Sequence, residues 1–122
     1  MRLWHESLIQ SLPRQQLLGQ HREAAALRGN GWGKPHSVVN YVFRYAYADL
    51  FRYHCLIMSE MKRRGYNVDP LWLNQAYRGK CLGYDHSTFT HGAGKRYAEH
   101  DAAYLAECVA NLAGKGIILE VA

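Results

Sequence analysis

Arg22 and Glu23 stand side by side near the end of the first helical stretch, one helix-length after a chain start that reads Met1-Arg2. A guanidinium, a carboxylate and a free α-amino group in one small domain can do chemistry on a sugar attached to phosphates. The amine is the nucleophile of the three. Its reference pKa of ~7.7–8, against ~10.4 for a lysine, leaves far more of it neutral near pH 7. A carboxylate is the natural proton shuttle beside an iminium, and the planar fork of arginine binds phosphate oxygens in pairs.

These groups need a scaffold, and 122 residues make one domain, spanning 1–122, with a modest core and no need of disulfides or a structural metal. Fifteen Lys and Arg against ten Asp and Glu give a formal charge of +5 and a pI near 9.2. That balance favours a polyanionic partner, nucleic acid above all. Cys55, Cys81 and Cys108 form no CxxC pair, so neither zinc nor a redox site is suggested, and Cys55 and Cys108 sit in apolar helical patterns as small hydrophobes. No apolar run approaches ~18 residues and no leader is evident, so a cytoplasmic protein working without a membrane or cofactor is expected.

The periodicity reads as all-α, with three main helices and long loops. Leu17, Leu18, His21, Ala24, Ala25 and Arg28 repeat at three- and four-residue steps over 13–28, with Pro13 at the start and Gly29 past the end. A long helix is predicted over 37–64, closed by Gly65, with a kink or break possible between Tyr45 and Asp49 where its apolar stripe drifts. Asp69-Pro70 predicts a short helix over 70–77. The glycine-rich stretch 78–95 reads as loop. A last helix runs from Glu99 or His100 to Ala113, with Ala103, Leu105, Ala106, Val109 and Leu112 as its core face. The apolar tail 117–121 reads as a short extended segment.

The opening MRLWHESLIQSLPRQQLLGQHRE resembles the pyrimidine-dimer DNA glycosylase family of the phage endonuclease V type. Leu8, Leu12, Gln15, Leu17, Arg22 and Glu23 match its motif without a gap, and Glu60 through Arg64-Gly65-Tyr66-Asn67 resembles the end of its middle helix. The resemblance implies a glycosylase with coupled lyase activity on damaged duplex DNA. The N-terminal amine, here that of Met1, attacks the sugar C1′ and displaces the base. Glu23 shuttles protons through a Schiff base, and β-elimination then cuts the strand. Arg2 and Arg22 take phosphates, and the duplex is bent with a nucleotide flipped out. This chain departs from the pattern in several places. Arg2 follows Met1, and a large second residue generally blocks removal of the initiator. With Met1 retained, one extra residue separates the amine from Leu8. Ala26 stands where a third arginine is expected, with Arg28 the nearest substitute, and Gln16 replaces a histidine. The aromatic tail that reads the lesion is missing.

Further candidates line up as DNA contacts beside ordinary structural readings. His21 is a phosphate donor or a hydrogen-bonded half-buried histidine. Gly19 admits a close backbone approach or helix packing. Trp32 wedges or stacks on a base, or lids the core. Lys34 and His36 beside it, and Lys95 and Arg96 further on, suit backbone phosphates. Tyr45 or Tyr47 could reach the site. His86, His91 and Asp85 would serve a metal hydrolase, which the loop spacing supports poorly. Damaged double-stranded DNA is the expected partner, the protein acts as a monomer near the nucleoid, and no resident metal is called for. The rival reading from another class is a catalytically silent DNA-binding or protein-interaction domain of the same fold.

Overall fold

The computed structural model describes residues 2–34, 39–85 and 94–119. Among these residues the chain forms three α-helices, α1 (Arg14–Arg28), α2 (Tyr47–Arg63) and α3 (Ala102–Gly114), each preceded by a 3-10 turn, at Glu6–Ser11, Asn40–Arg44 and Pro70–Leu73. No strand forms among the described residues; Tyr77 and Tyr84 make one isolated antiparallel bridge. The all-α expectation holds. No helix among the described residues is long and apolar enough to cross a membrane.

Helix α1 starts after Pro13, whose carbonyl accepts from the Leu17 N–H, and packs chiefly on α2. Leu17, Ala24 and Leu27 meet Leu50, Tyr53 and Ile57 of α2 in the core. Gly29 ends α1 at φ −94°, outside the left-handed region. Its glycine is required by space instead: a Cβ there would sit 2.8 Å from the Arg78 carbonyl. Helix α2 ends as the sequence suggests. Gly65 (φ +83°) donates to the Lys62 carbonyl and Tyr66 to that of Met61, a Schellman closure that a side chain at Gly65 would strain.

The expected helix over 37–64 is shorter. Residues 35–38 lie outside those described, and Tyr45 and Ala46 are extended, so α2 begins only at Tyr47. Two sets of rings pull the chain to different walls. Tyr41 and Tyr45 pack on Tyr97, with Tyr45 donating to Glu99 at 2.7 Å, while Phe43 and Tyr47 pack edge-on against Trp32.

The helix expected over 70–77 is only a 3-10 turn, and Arg28 explains why. Its side chain is fully buried and donates to the carbonyls of Trp72 (2.7 Å), Asn74 (2.9 Å) and Tyr77 (3.4 Å). Of these, the Trp72 carbonyl is the one a helical ladder over 70–77 would need, as acceptor for the Ala76 N–H, and that N–H turns instead to Asn74 Oδ1 at 2.9 Å. The same guanidinium meets the Tyr47 hydroxyl and His54 Nδ1, both at 2.8 Å, and lies over the rings of Phe51 and Trp72. Burial lowers its pKa from the usual value, with the Tyr47 bond acting the other way. Arg78 stacks on Tyr47 at 3.9 Å and donates to the Arg28 carbonyl.

Helix α3 begins at Ala102, two or three residues later than expected. Asp101 caps it by accepting from the Tyr104 N–H, and His100 stays outside. Its inward face is Tyr104, Cys108 and Leu112. Of the expected core face, Leu112 is buried and Leu105 and Val109 are half-buried against the core, whereas Ala103 and Ala106 are exposed. Ile117 donates to the Leu112 carbonyl and is half-buried, while Ile118 faces outward. All three cysteines are free.

Arg28→Lys keeps the charge but cannot span these acceptors, leaving buried carbonyls unmet. A loss of about 2–4 kcal/mol is expected, read as a lowered urea midpoint; an unchanged midpoint would refute this role.

Candidate active site

Gln16, Gly19, Gln20 and Glu23 recur at helical spacing and share one face of α1. Together with Gln15, Arg2, Trp4 and Lys115, they line a hollow of about 230 Å³. Its second wall is the chain start, laid against the helices by buried side chains. Gln20 Nε2 donates to the Arg2 carbonyl (2.8 Å) and its Oε1 accepts the Trp4 N–H (3.0 Å). Tyr104 donates to the Leu3 carbonyl at 2.6 Å. The Tyr53 hydroxyl sits 2.6 Å from the Trp4 carbonyl and 2.8 Å from Gln20 Oε1, sharing one proton between two acceptors. His100 Nδ1 accepts the Glu6 N–H, and His5 Nδ1 that of Ser7.

The Arg2 guanidinium pairs with Glu107 of α3 at 3.1 Å and lies 5.9 Å from the ring centres of Trp4 and Tyr104. Glu23 is partly exposed and makes no hydrogen bond or ion pair among the described residues. Arg22 is exposed beside it, equally without a partner there. Among the described residues no backbone crowds Gly19: an added Cβ would meet only the Arg22 guanidinium, at 3.8 Å. Its missing side chain serves to open the hollow.

Other sequence candidates lie elsewhere. Arg28 is not a phosphate contact: it is fully buried and its donors are spent on protein acceptors. His21 is half-buried, with its Nδ1 2.8 Å from His54 Nε2. Because Arg28 donates to His54 Nδ1, the network assigns the proton to His54 Nε2, which donates to His21 Nδ1. Burial and then Arg22 hold the His21 pKa below its usual value. Trp32 fills the lid role, its ring packed by Phe43 and Tyr47 with Arg78 above it. Lys34 and Lys95 are exposed away from the hollow's lining. Arg96 is tied to Glu6 at 3.3 Å and to the His100 carbonyl at 2.9 Å. Tyr47 is buried on Arg28. Met1, His36, His86 and His91 lie outside the described residues. No group of three His, Cys, Asp or Glu is placed to hold a metal among those described.

A family model described as pyrimidine dimer DNA glycosylase matches residues 1–74. The chain belongs to the pyrimidine dimer DNA glycosylase family. It is therefore an enzyme of a DNA-repair family that acts on damaged DNA. Comparison with curated proteins found no match, nor did comparison with solved structures.

The glycosylase match takes in Arg2, Gln20, Arg22, Glu23 and the Arg28 cluster as far as Trp72 and Asn74. Glu107 of α3, the ion-pair partner of Arg2, and Lys115, which lines the hollow from just past the end of α3, lie beyond it. They were not read from the sequence, where an isolated Glu and Lys look like any solvated helix charge. Gln20 was also missed. Its one signal is its place on the Glu23 face, one turn earlier.

Buried neutral histidines make this glycosylase acid-sensitive. Burial first, then Arg28, pushes His54 down to about 2, and burial, then His5, pushes His100 to about 4. Both lie below the unfolded value of ~6.5, so at lower pH the unfolded chain binds protons that the folded one refuses. Their stability contribution is whole above pH ~6.5 and falls as pH drops toward ~4, each with a slope approaching about 1.4 kcal/mol per pH unit. Urea midpoints should decline from pH 7 to 5; a flat profile would contradict the assignment.

Proposed function

We propose that this glycosylase removes a damaged pyrimidine from duplex DNA through the amine of Met1 and then cleaves at the abasic site. The observation that carries this reading is the shared hollow of Arg2 and Glu23, with the carbonyl of residue 2 bonded to the helix that bears Glu23. Covalent geometry keeps the α-nitrogen of residue 1 within about 5 Å of the Arg2 Cα.

In this mechanism the amine nitrogen bonds to C1′, and the C1′–base bond breaks with its electron pair leaving on the base, which takes up a proton. The amine then gives up a proton, and the C1′–O4′ bond breaks with O4′ taking up a proton, which leaves an iminium at C1′. Removal of a C2′ proton then expels the 3′ phosphate. Glu23, bearing no partner among the described residues, is the group free to carry these protons. Nearby positive charge from Arg2 and Lys115 would lower the amine's pKa and enlarge its neutral fraction. Exposed Arg22 and Lys115 suit phosphates on either side of the hollow, and the substrate is the nucleoid's duplex.

Borohydride with an abasic-site duplex should trap an adduct on residue 1. Glu23→Gln should cut strand cleavage by ~10²-fold or more while DNA affinity holds. Cleavage indifferent to both N-terminal acetylation and Glu23→Gln would refute the proposal. A second reading, a catalytically silent DNA-binding domain, draws on Ala26 at the expected arginine position and the extra residue before Leu8. It is favoured by salt-sensitive DNA binding with no trapped adduct.

A further inference from the structure

We propose that Gln20 is the positioning residue for the nucleophile: its carboxamide clamps residues 2 to 4 onto α1 and so sets the distance from the chain's amine to Glu23. The inference rests on the amine reading above and assigns the geometric part of it to one side chain.

Gln20 is buried, with 4% of its surface exposed, and both ends of its amide are used on the chain start. Nε2 takes the carbonyl of residue 2 at 2.8 Å and Oε1 takes the N–H of residue 4 at 3.0 Å. One residue of a neighbouring parallel strand bonds its partner in this same pattern, to the carbonyl before and the N–H after the residue opposite. Gln20 therefore does the work of a missing strand. It does so from the helix that carries Glu23, three residues earlier on the same face of the hollow.

A helix is rigid over one turn, so the carboxylate and the anchored residue 2 belong to a single body. Displacements near 1 Å between reacting groups can cost ~10²-fold in rate. Other bonds to the opening segment, from Tyr104 of α3 to the Leu3 carbonyl, from Tyr53 of α2 to the Trp4 carbonyl and from the Glu6 N–H to His100, fix the segment without tying it to the helix that bears Glu23. Only this orientation of the amide suits both groups. A reversed amide would set its NH₂ against the Trp4 N–H and its oxygen against the Arg2 carbonyl.

Gln20→Glu has nearly the same shape and keeps an acceptor for Trp4, but it places a carboxylate oxygen against the Arg2 carbonyl. The test is single-turnover Schiff-base trapping on abasic duplex, with DNA affinity measured alongside. Gln20→Glu should lower the rate at saturating DNA at least tenfold with Kd within twofold of wild type. Ile57→Val, a core truncation on α2, should keep the rate. An unaltered rate in Gln20→Glu, when wild type traps, overturns the clamp and leaves the amine reading standing. Failure of wild type to trap overturns both. Should the variant not fold, hydrogen exchange on wild type decides: the Trp4 amide should be protected like those of the core, and free exchange there overturns the proposal.

Discussion

Arg28 is the interaction on which the rest of the molecule depends. One guanidinium at the end of α1 gathers the Tyr47 hydroxyl at the start of α2, a histidine about two turns further along it, and three carbonyls of the segment after it. No carboxylate is among these partners. The charge is carried by carbonyl dipoles, a phenol oxygen, an imidazole nitrogen and ring faces, none of them bearing the full negative charge of a carboxylate. Burial of the whole group makes the arrangement hold, and the arrangement in turn fixes α1 against α2. Because α1 also carries Glu23 and Gln20 on another face, the site inherits its rigidity from a charge it never contacts.

The two faces of α1 therefore divide the labour. One locks the helix into the core through Arg28, His54 and His21; the other holds the chain start and the carboxylate. His54 and His100 must stay neutral for both halves, since each uses a ring nitrogen as acceptor, from Arg28 and from the Glu6 N–H. A fold of this size has room for few such networks, and here two of them share one helix and its neighbours.

Much of this was legible in the amino-acid order. The stripe from Leu17 to Ala24, Pro13 and Gly29 bound α1 to within a residue, and the ungapped run ending Arg22-Glu23 pointed to the glycosylase family. What failed did so for identifiable reasons. Arginine is seldom fully buried, so Arg28 read as a phosphate contact. Its capture of the carbonyls at 72, 74 and 77 is a tertiary event, and local signals at Asp69-Pro70 could only suggest a helix. On α3 the buried Leu112 was legible, but Ala103 and Ala106 are apolar yet exposed, while the inward positions beside Leu112 are a tyrosine and a cysteine. Gln20 carried no distinguishing mark, because a glutamine in a helix is usually solvated and only the chain lying across it gives it a task.

The anchored opening segment also has a practical side. Residue 2 is fastened by its backbone and is itself one of the eight residues that line the hollow, Trp4 and Lys115 among them. A purification tag or fusion partner joined ahead of Met1 would convert the amine to an amide and add chain just ahead of Arg2, which lines the hollow. Handles for production belong at the other end, beyond Leu119, where the neighbouring Ile118 already faces solvent.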